Sequence, residues 1–167
     1  MNYKNRDVYN GYWKNDKREG NGIMKYNNGE EYNGNFKSDE MFQGIMKYPN
    51  GDLYDGYFKE NLREGYGIMN YKNGINYKGI WNNNLKNGKG FLKNQNQDEF
   101  HGFWENDDFI EGEVKYKNGN VFKGNLKVHF GNLKYKNGDE YNGNYINDKK
   151  EGKGIMKYNN GDYYEGD

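Results

Sequence analysis

Residues 54–76 read YDGYFKENLREGYGIMNYKNGIN, and this stretch decides the fold. Tyr54, Gly56 and Phe58 lie two apart, the period of a strand with one face of large residues. Glycine between two rings removes a side chain where a ring must lie flat. A polar loop of about six residues follows. Gly-x-Gly-Ile-Met then reads as a second strand, and Asn73-Gly74 as the turn that folds the chain back. The sequence predicts a type I′ turn at Asn-Gly, because such a turn needs positive φ at both central residues.

The same unit recurs on both sides. Units start at Tyr9, Tyr32, Tyr54, Tyr77, Phe100, Phe122 and Tyr141, with part-units at 1–8 and 164–167. YNGYWKNDKREGNGIMKYNNGEE from Tyr9 and YNGNYINDKKEGKGIMKYNNGDY from Tyr141 repeat the pattern almost residue for residue. The turn dipeptide returns at Asn28-Gly29, Asn50-Gly51, Asn118-Gly119, Asn137-Gly138 and Asn160-Gly161. A single hairpin is marginal in water, whereas stacked hairpins bury their rings against neighbours. The expected fold is therefore all-β, a solenoid of consecutive antiparallel β-hairpins in one array over residues 1–167. At about 4.8 Å per strand the rise is about 10 Å per unit.

Composition agrees. Leu, Ile, Val and Phe make up 27 of the 167 residues, yet aromatics reach 18% and the formal net charge is zero. Disordered chains are poor in aromatics and strongly charged. Helix is disfavoured, since Ala is absent and Gly recurs in every segment.

These residues resemble the MORN repeat family: Tyr-x-Gly-x-(Trp/Phe), a polar loop, Gly-x-Gly, Met, Tyr and Asn-Gly, recurring along essentially the whole chain. The resemblance implies a single-layer twisted sheet of hairpins. It implies scaffolding in cytoskeletal, ciliary or membrane-contact assemblies, phospholipid binding in some members, and dimers through the repeats in others. Several units depart from the pattern. Asn94 and Gln97 replace the Tyr and the turn Gly of the fourth. The second and fifth have shortened loops at Phe42 and at Glu111-Gly112-Glu113. The sixth, Phe122–Glu140, is four residues short. Irregular hairpins are expected there, with a bend near residues 93–100. Met1–Asn5 matches Met69–Asn73, so the chain opens inside a unit and is expected to be a piece of a longer array.

Catalysis finds little support. There is no Cys and no Thr, one Ser (Ser38), and two His (His101 and His129). An activated nucleophile needs a base beside it, and Ser38 and His101 lie about three units apart. Acidic residues such as Glu30, Asp52, Asp98, Asp139 and Asp162 recur after each turn, which points to a structural or surface role. The expectation is no enzyme, no metal and no cofactor. Balanced charge gives no bulk pull toward nucleic acid. The polar start and the lack of an 18-residue apolar run point to a cytoplasmic chain. The resemblance adds cytoskeletal or membrane association.

Two surfaces stand out. The residue before the second-strand Tyr is Lys25, Lys47, Lys93, Lys115, Lys134 and Lys157, an ammonium ladder suited to an anionic phospholipid or acidic partner. Its alternative is a solvated face that also suppresses edge pairing. The rings Tyr9, Trp13, Tyr54, Phe58, Tyr77, Trp81, Phe100 and Trp104 must be partly exposed on a single layer, and form an aromatic groove for a partner. The function expected is a structural scaffold or protein-interaction module that binds partners or itself. The alternatives are a phospholipid-binding adaptor and the targeting segment of a larger enzyme.

Overall fold

The computed structural model describes residues 1–146 and 149–167. The chain forms two compact bodies, Met1–Asn87 and Gly88–Asp167. The first carries β1 (Val8–Lys14), β2 (Lys17–Lys25), β3 (Glu31–Lys37), β4 (Glu40–Lys47), β5 (Leu53–Lys59), β6 (Leu62–Asn70) and β7 (Asn76–Asn82). Each pairs antiparallel with the next in chain order. From Gly88 on come most of β8 (Leu85–Lys93), then β9 (Glu99–Glu105), β10 (Asp108–Lys115), β11 (Val121–Asn125), β12 (Phe130–Lys134), β13 (Glu140–Ile146), β14 (Lys149–Lys157) and β15 (Tyr163–Gly166). These also pair in chain order. All described elements are strands in consecutive hairpins, the fold class that the repeat predicts.

The chain turns at the Asn-Gly positions as the sequence predicts, but the turn type differs from the expected type I′. The mirror-image two-residue turns sit in the polar loops. Both central residues have positive φ at Asn15-Asp16 (51° and 58°), Ser38-Asp39 (50° and 74°) and Glu60-Asn61 (52° and 62°). The expected six-residue loop shrinks to these two residues because the flanking Lys and Glu extend the strands. At Asn28-Gly29 only glycine has positive φ, 89°. There Gly29 N–H donates to the Tyr26 carbonyl at 3.0 Å, closing a type I turn whose next residue is left-handed. Asn28 has its own use: its Oδ1 accepts the Glu30 N–H at 3.0 Å.

The short units have a physical cause. In the first hairpin Gly11 faces Gly22 and Trp13 faces Arg18, so β2 bulges by two extra residues around left-handed Gly20, φ 68°. In the second, Asn35 faces Gln43 and Phe36 faces Met41, a bulge of one extra residue. The fifth does the same at Phe103–Glu111 and Trp104–Phe109. One residue fewer in the bulge gives a unit of 22 rather than 23. The fourth unit keeps its turn: Gln97 takes the glycine position at φ 70° and donates its N–H to the Asn94 carbonyl at 3.0 Å. The bend expected near 93–100 is instead this ordinary turn with glutamine in it.

Candidate interaction surfaces

Period-two alternation gives each body two faces. On one face of the first body the leading tyrosines Tyr9, Tyr32, Tyr54 and Tyr77 are buried, at 1% exposure or less. The Tyr9, Tyr32 and Tyr54 rings each lie over the glycine two residues on and over the glycine facing it, as Tyr54 does over Gly56 and Gly67. Each hydroxyl donates to the carbonyl three residues on: Tyr9 to Tyr12 (3.0 Å), Tyr32 to Asn35 (2.8 Å), Tyr54 to Tyr57 (3.0 Å) and Tyr77 to Ile80 (3.0 Å). The ring fourth after Tyr32, Tyr54 and Tyr77 then packs edge-on against two tyrosines. Phe36 meets Tyr9 and Tyr32 at 5.1 Å each. Phe58 meets Tyr32 at 5.4 Å and Tyr54 at 5.1 Å. Trp81 meets Tyr54 at 5.5 Å and Tyr77 at 5.1 Å. The result is a ladder in which every second rung is shared between neighbouring hairpins. Burial also lifts the Tyr32 and Tyr54 hydroxyls well above the ordinary tyrosine range.

This ladder corrects the exposed aromatic groove. Tyr9, Tyr54, Phe58, Tyr77, Trp81 and Trp104 are buried and Phe100 is half-buried; only Trp13 remains open, at 43%. Edge-to-face packing at about 5 Å closes the gaps that a flat layer of parallel rings would leave.

Two arginines clasp the ladder, and sequence reading missed both. Arg18 donates its N–H to Asp39 Oδ1 at 2.8 Å, its Nε to the same oxygen at 3.2 Å and a terminal nitrogen to the Asp39 carbonyl at 2.6 Å. Glu19 accepts the Ser38 N–H at 2.9 Å. Arg63 and Glu64 treat Asn84 and Asn83 in the same way. Each guanidinium also lies over a ring, Arg18 5.1 Å from Phe36 and Arg63 4.4 Å from Trp81. The Arg-Glu-Gly triplets at 18–20 and 63–65 were the available signal. At the opposite end of the hairpins, Asp7 accepts the Asn27 N–H at 2.8 Å and Asp52 that of Lys72 at 2.9 Å. The recurring acids therefore stitch one turn to the next.

The Asp39 clasp titrates. The Arg18 backbone N–H, then its guanidinium, holds the Asp39 carboxyl below its ordinary range against the opposing effect of desolvation. A depressed folded pKa contributes stability above the unfolded pKa, about 3.9, that is lost as pH falls through the lower folded value. Thermal melts from pH 7 down should show an added loss below about pH 4 that Asp39→Asn lacks, since Asn84 already fills the equivalent clasp. Identical acid sensitivity in both chains would refute this.

The other face of the first body places Lys25 and Lys47 in one register row, and that of the second body places Lys93, Lys115, Lys134 and Lys157 in another. They are not alone in these rows. Register puts Glu31 between Lys25 and Lys47, Glu99 between Lys93 and Lys115, and Glu140 between Lys134 and Lys157. Glu31 reaches Lys25 at 3.3 Å and Lys47 at 3.4 Å, and Glu99 reaches Lys93 at 3.2 Å. The Lys25 hydrogen bond, then that of Lys47, holds the Glu31 carboxyl below its usual range. Lys25, Lys47, Lys93 and Lys115 each reach a carboxylate within 3.4 Å, while Val121 rather than an acid separates Lys115 from Lys134, so the lysines do not form a line of free ammonium groups.

Between the charged stretches the outer face of β4–β7 is apolar. Phe42, Ile45, Leu53, Tyr57, Tyr66 and Ile80 are each 38–45% exposed there. In the second body a cavity of about 440 Å³, mostly apolar but with Asn118 and Asn120 in its lining, opens beside Phe122 and Tyr145. Among the described residues no group of three or more His, Cys, Asp or Glu could hold a metal, and no helix is long and apolar enough to cross a membrane.

The family model described as the MORN repeat matches residues 9–31, 54–75, 77–99 and 141–163, more than half of the chain. The chain belongs to the MORN repeat family. The MORN repeats left unmatched are the second, fifth and sixth: two with the one-residue bulge, and the shortened one. No curated protein sequence matches the chain. In fold it is similar to the TCP domain of SAS-4 (dCPAP) of Drosophila melanogaster, solved in complex with a proline-rich motif of Ana2 (dSTIL). The TM-score is 0.56 at 17% identity, over 89% of this chain and 84% of that one. It also matches the TCP10c domain of Drosophila melanogaster Sas-4, with TM-score 0.48 and 17% identity over 96% and 99% of the two chains. The wild-type TCP10 domain of Danio rerio CPAP gives 0.43 and 13% over 99% and 80%. At these identities the likeness is one of fold.

Proposed function

We propose that this MORN-repeat chain is a non-catalytic protein-interaction module whose docking surface is the outer face of β4–β7, and that a second copy of the chain docks there. One observation carries the reading: a stripe of exposed apolar side chains at the centre of a face that is otherwise polar. The similar fold of the SAS-4 domain, solved with a peptide of another protein, supports a protein partner.

Self-association follows from the charges. Asp55 and Lys78 are exposed and flank Ile68 in register, one on each side. Among the described residues neither has an ion-pair partner. A two-fold axis running along β6 above Ile68 lays β5 of one copy over β7 of the other. Asp55 then meets Lys78 twice, Tyr57 meets Ile80 and Tyr66 meets Tyr66. Sheets packed face to face keep their strands within about 30° of each other, which this axis allows. The stripe spans roughly 20 Å across four strands, small beside the ~800 Å² per partner of a standard interface, so association is expected at micromolar or weaker affinity.

Sedimentation velocity across a concentration series tests this. Asp55→Lys should weaken dimerisation about tenfold, and Asp55→Lys with Lys78→Asp should restore it. A monomer at every concentration, or indifference to both changes, overturns self-association. Phosphoinositide vesicles serve as the counter-test. Retention that disappears when Lys25 and Lys47 become Gln would favour the lipid adaptor instead.

A further inference from the structure

The ring ladder has one rung missing, and a cavity lies there. The fourth residue after the leading ring is aromatic in six of the seven units: Trp13, Phe36, Phe58, Trp81, Trp104 and Tyr145. In the sixth it is Leu126. β11 stops at Asn125, and the Leu126 N–H donates to the Ile110 carbonyl at 2.7 Å, so the strand ends before it can present a ring. A rung at this position would bridge Phe100 and Phe122, as Phe36 bridges Tyr9 and Tyr32. Phe122 keeps only its later neighbour, Tyr145, edge-on at 5.5 Å.

The cavity of about 440 Å³ is walled by Phe100, Val114, Phe122, Leu126, Leu133 and Tyr145, with Asn118 and Asn120 also in its lining. Tyr145 is 9% exposed, and among the described residues its hydroxyl is buried with no hydrogen-bond partner. Elsewhere in the ladder a leading hydroxyl is satisfied by a backbone carbonyl. An unpaired buried hydroxyl is a standing cost.

We infer that this cavity takes up one aromatic side chain of a partner peptide, seated edge-to-face between Phe100 and Phe122 as the missing rung. The site is separate from the outer face of β4–β7 and does not depend on dimerisation.

The test is a methyl NMR titration that follows Val114, Leu126 and Leu133. The probes are a blocked Gly-Trp-Gly tripeptide, the Gly-Ala-Gly control and free indole. The tripeptide should give saturable shifts at these methyls and the alanine control none. Leu126→Trp supplies the rung from within; it should raise the melting temperature and weaken tripeptide binding by about tenfold or more. Leu126→Phe is the second variant should the indole prove too large to fold in. Three results would each overturn the proposal: no saturable shift, shifts unaltered by the filled cavity, or saturation by indole but not by the tripeptide.

Discussion

Gly56→Ala should destabilise the first body by about 3 kcal/mol, far more than an ordinary surface change. A Cβ at this position would sit 2.5 Å from the Tyr54 hydroxyl oxygen, 2.6 Å from its ring carbon and 2.7 Å from Gly67 Cα. Two of these contacts are with a ring that is itself fixed at 0% exposure, and the third is with backbone. The ring must move, and it then loses its bond to the Tyr57 carbonyl and its edge contacts with Phe58 and Trp81. Gly74→Ala is the control. Nothing lies within 4 Å of a Cβ there, so only the cost of a left-handed φ of 88° remains, about 1 kcal/mol. Denaturant melts of the two variants separate crowding from backbone strain. Combining Gly56→Ala with Tyr54→Phe, which removes the nearest atom, should cost less than the sum of the two. Equal costs for Gly56 and Gly74 would show that the ring does not need the glycine.

Trp81→Ala should cost about 4 kcal/mol, while Trp13→Ala costs about half that or less. The two tryptophans hold the same repeat position. Trp81 is 1% exposed, touches Tyr54 and Tyr77, lies under Arg63 and donates its indole N–H to the Gly67 carbonyl at 3.3 Å. Trp13 is 43% exposed and touches Tyr9 alone, at 5.2 Å. The difference comes from sharing, not from residue type. Thermal denaturation of the two alanine variants measures it, and equal losses would mean that the rungs are independent.

Much of this was legible in the sequence, and the failures have physical causes. The alternation of ring, glycine and ring gave strands, and its recurrence gave consecutive hairpins, because both depend only on local spacing. Asn28-Gly29 misled on turn type, since positive φ at Ser38-Asp39 and Glu60-Asn61 is carried without any glycine. The sharp turn is imposed there by strand register and by the Arg18 and Arg63 clasps, which reach across about twenty residues. The lysines fall in register within each body, but the reading left out the carboxylates among them. Stacking equivalent positions of the second strands overlooks the first-strand residue that lies between them, which is Glu31 or Glu99. Ring burial was misjudged because it depends on how rings of successive units tilt against one another, and no single unit contains that information.

The shared rung also sets what can be added to or taken from such a chain. Each alternate ring belongs half to its own hairpin and half to the one before, so cutting between hairpins always halves a contact. Removing one whole unit within the first body joins two surfaces that already fit, because each join there is made of the same leading tyrosine and edge-on ring. Length is therefore a free variable of the fold in steps of one unit, while a deletion of any other size breaks phase along every row at once. Gene duplication can lengthen the array without inventing a new core.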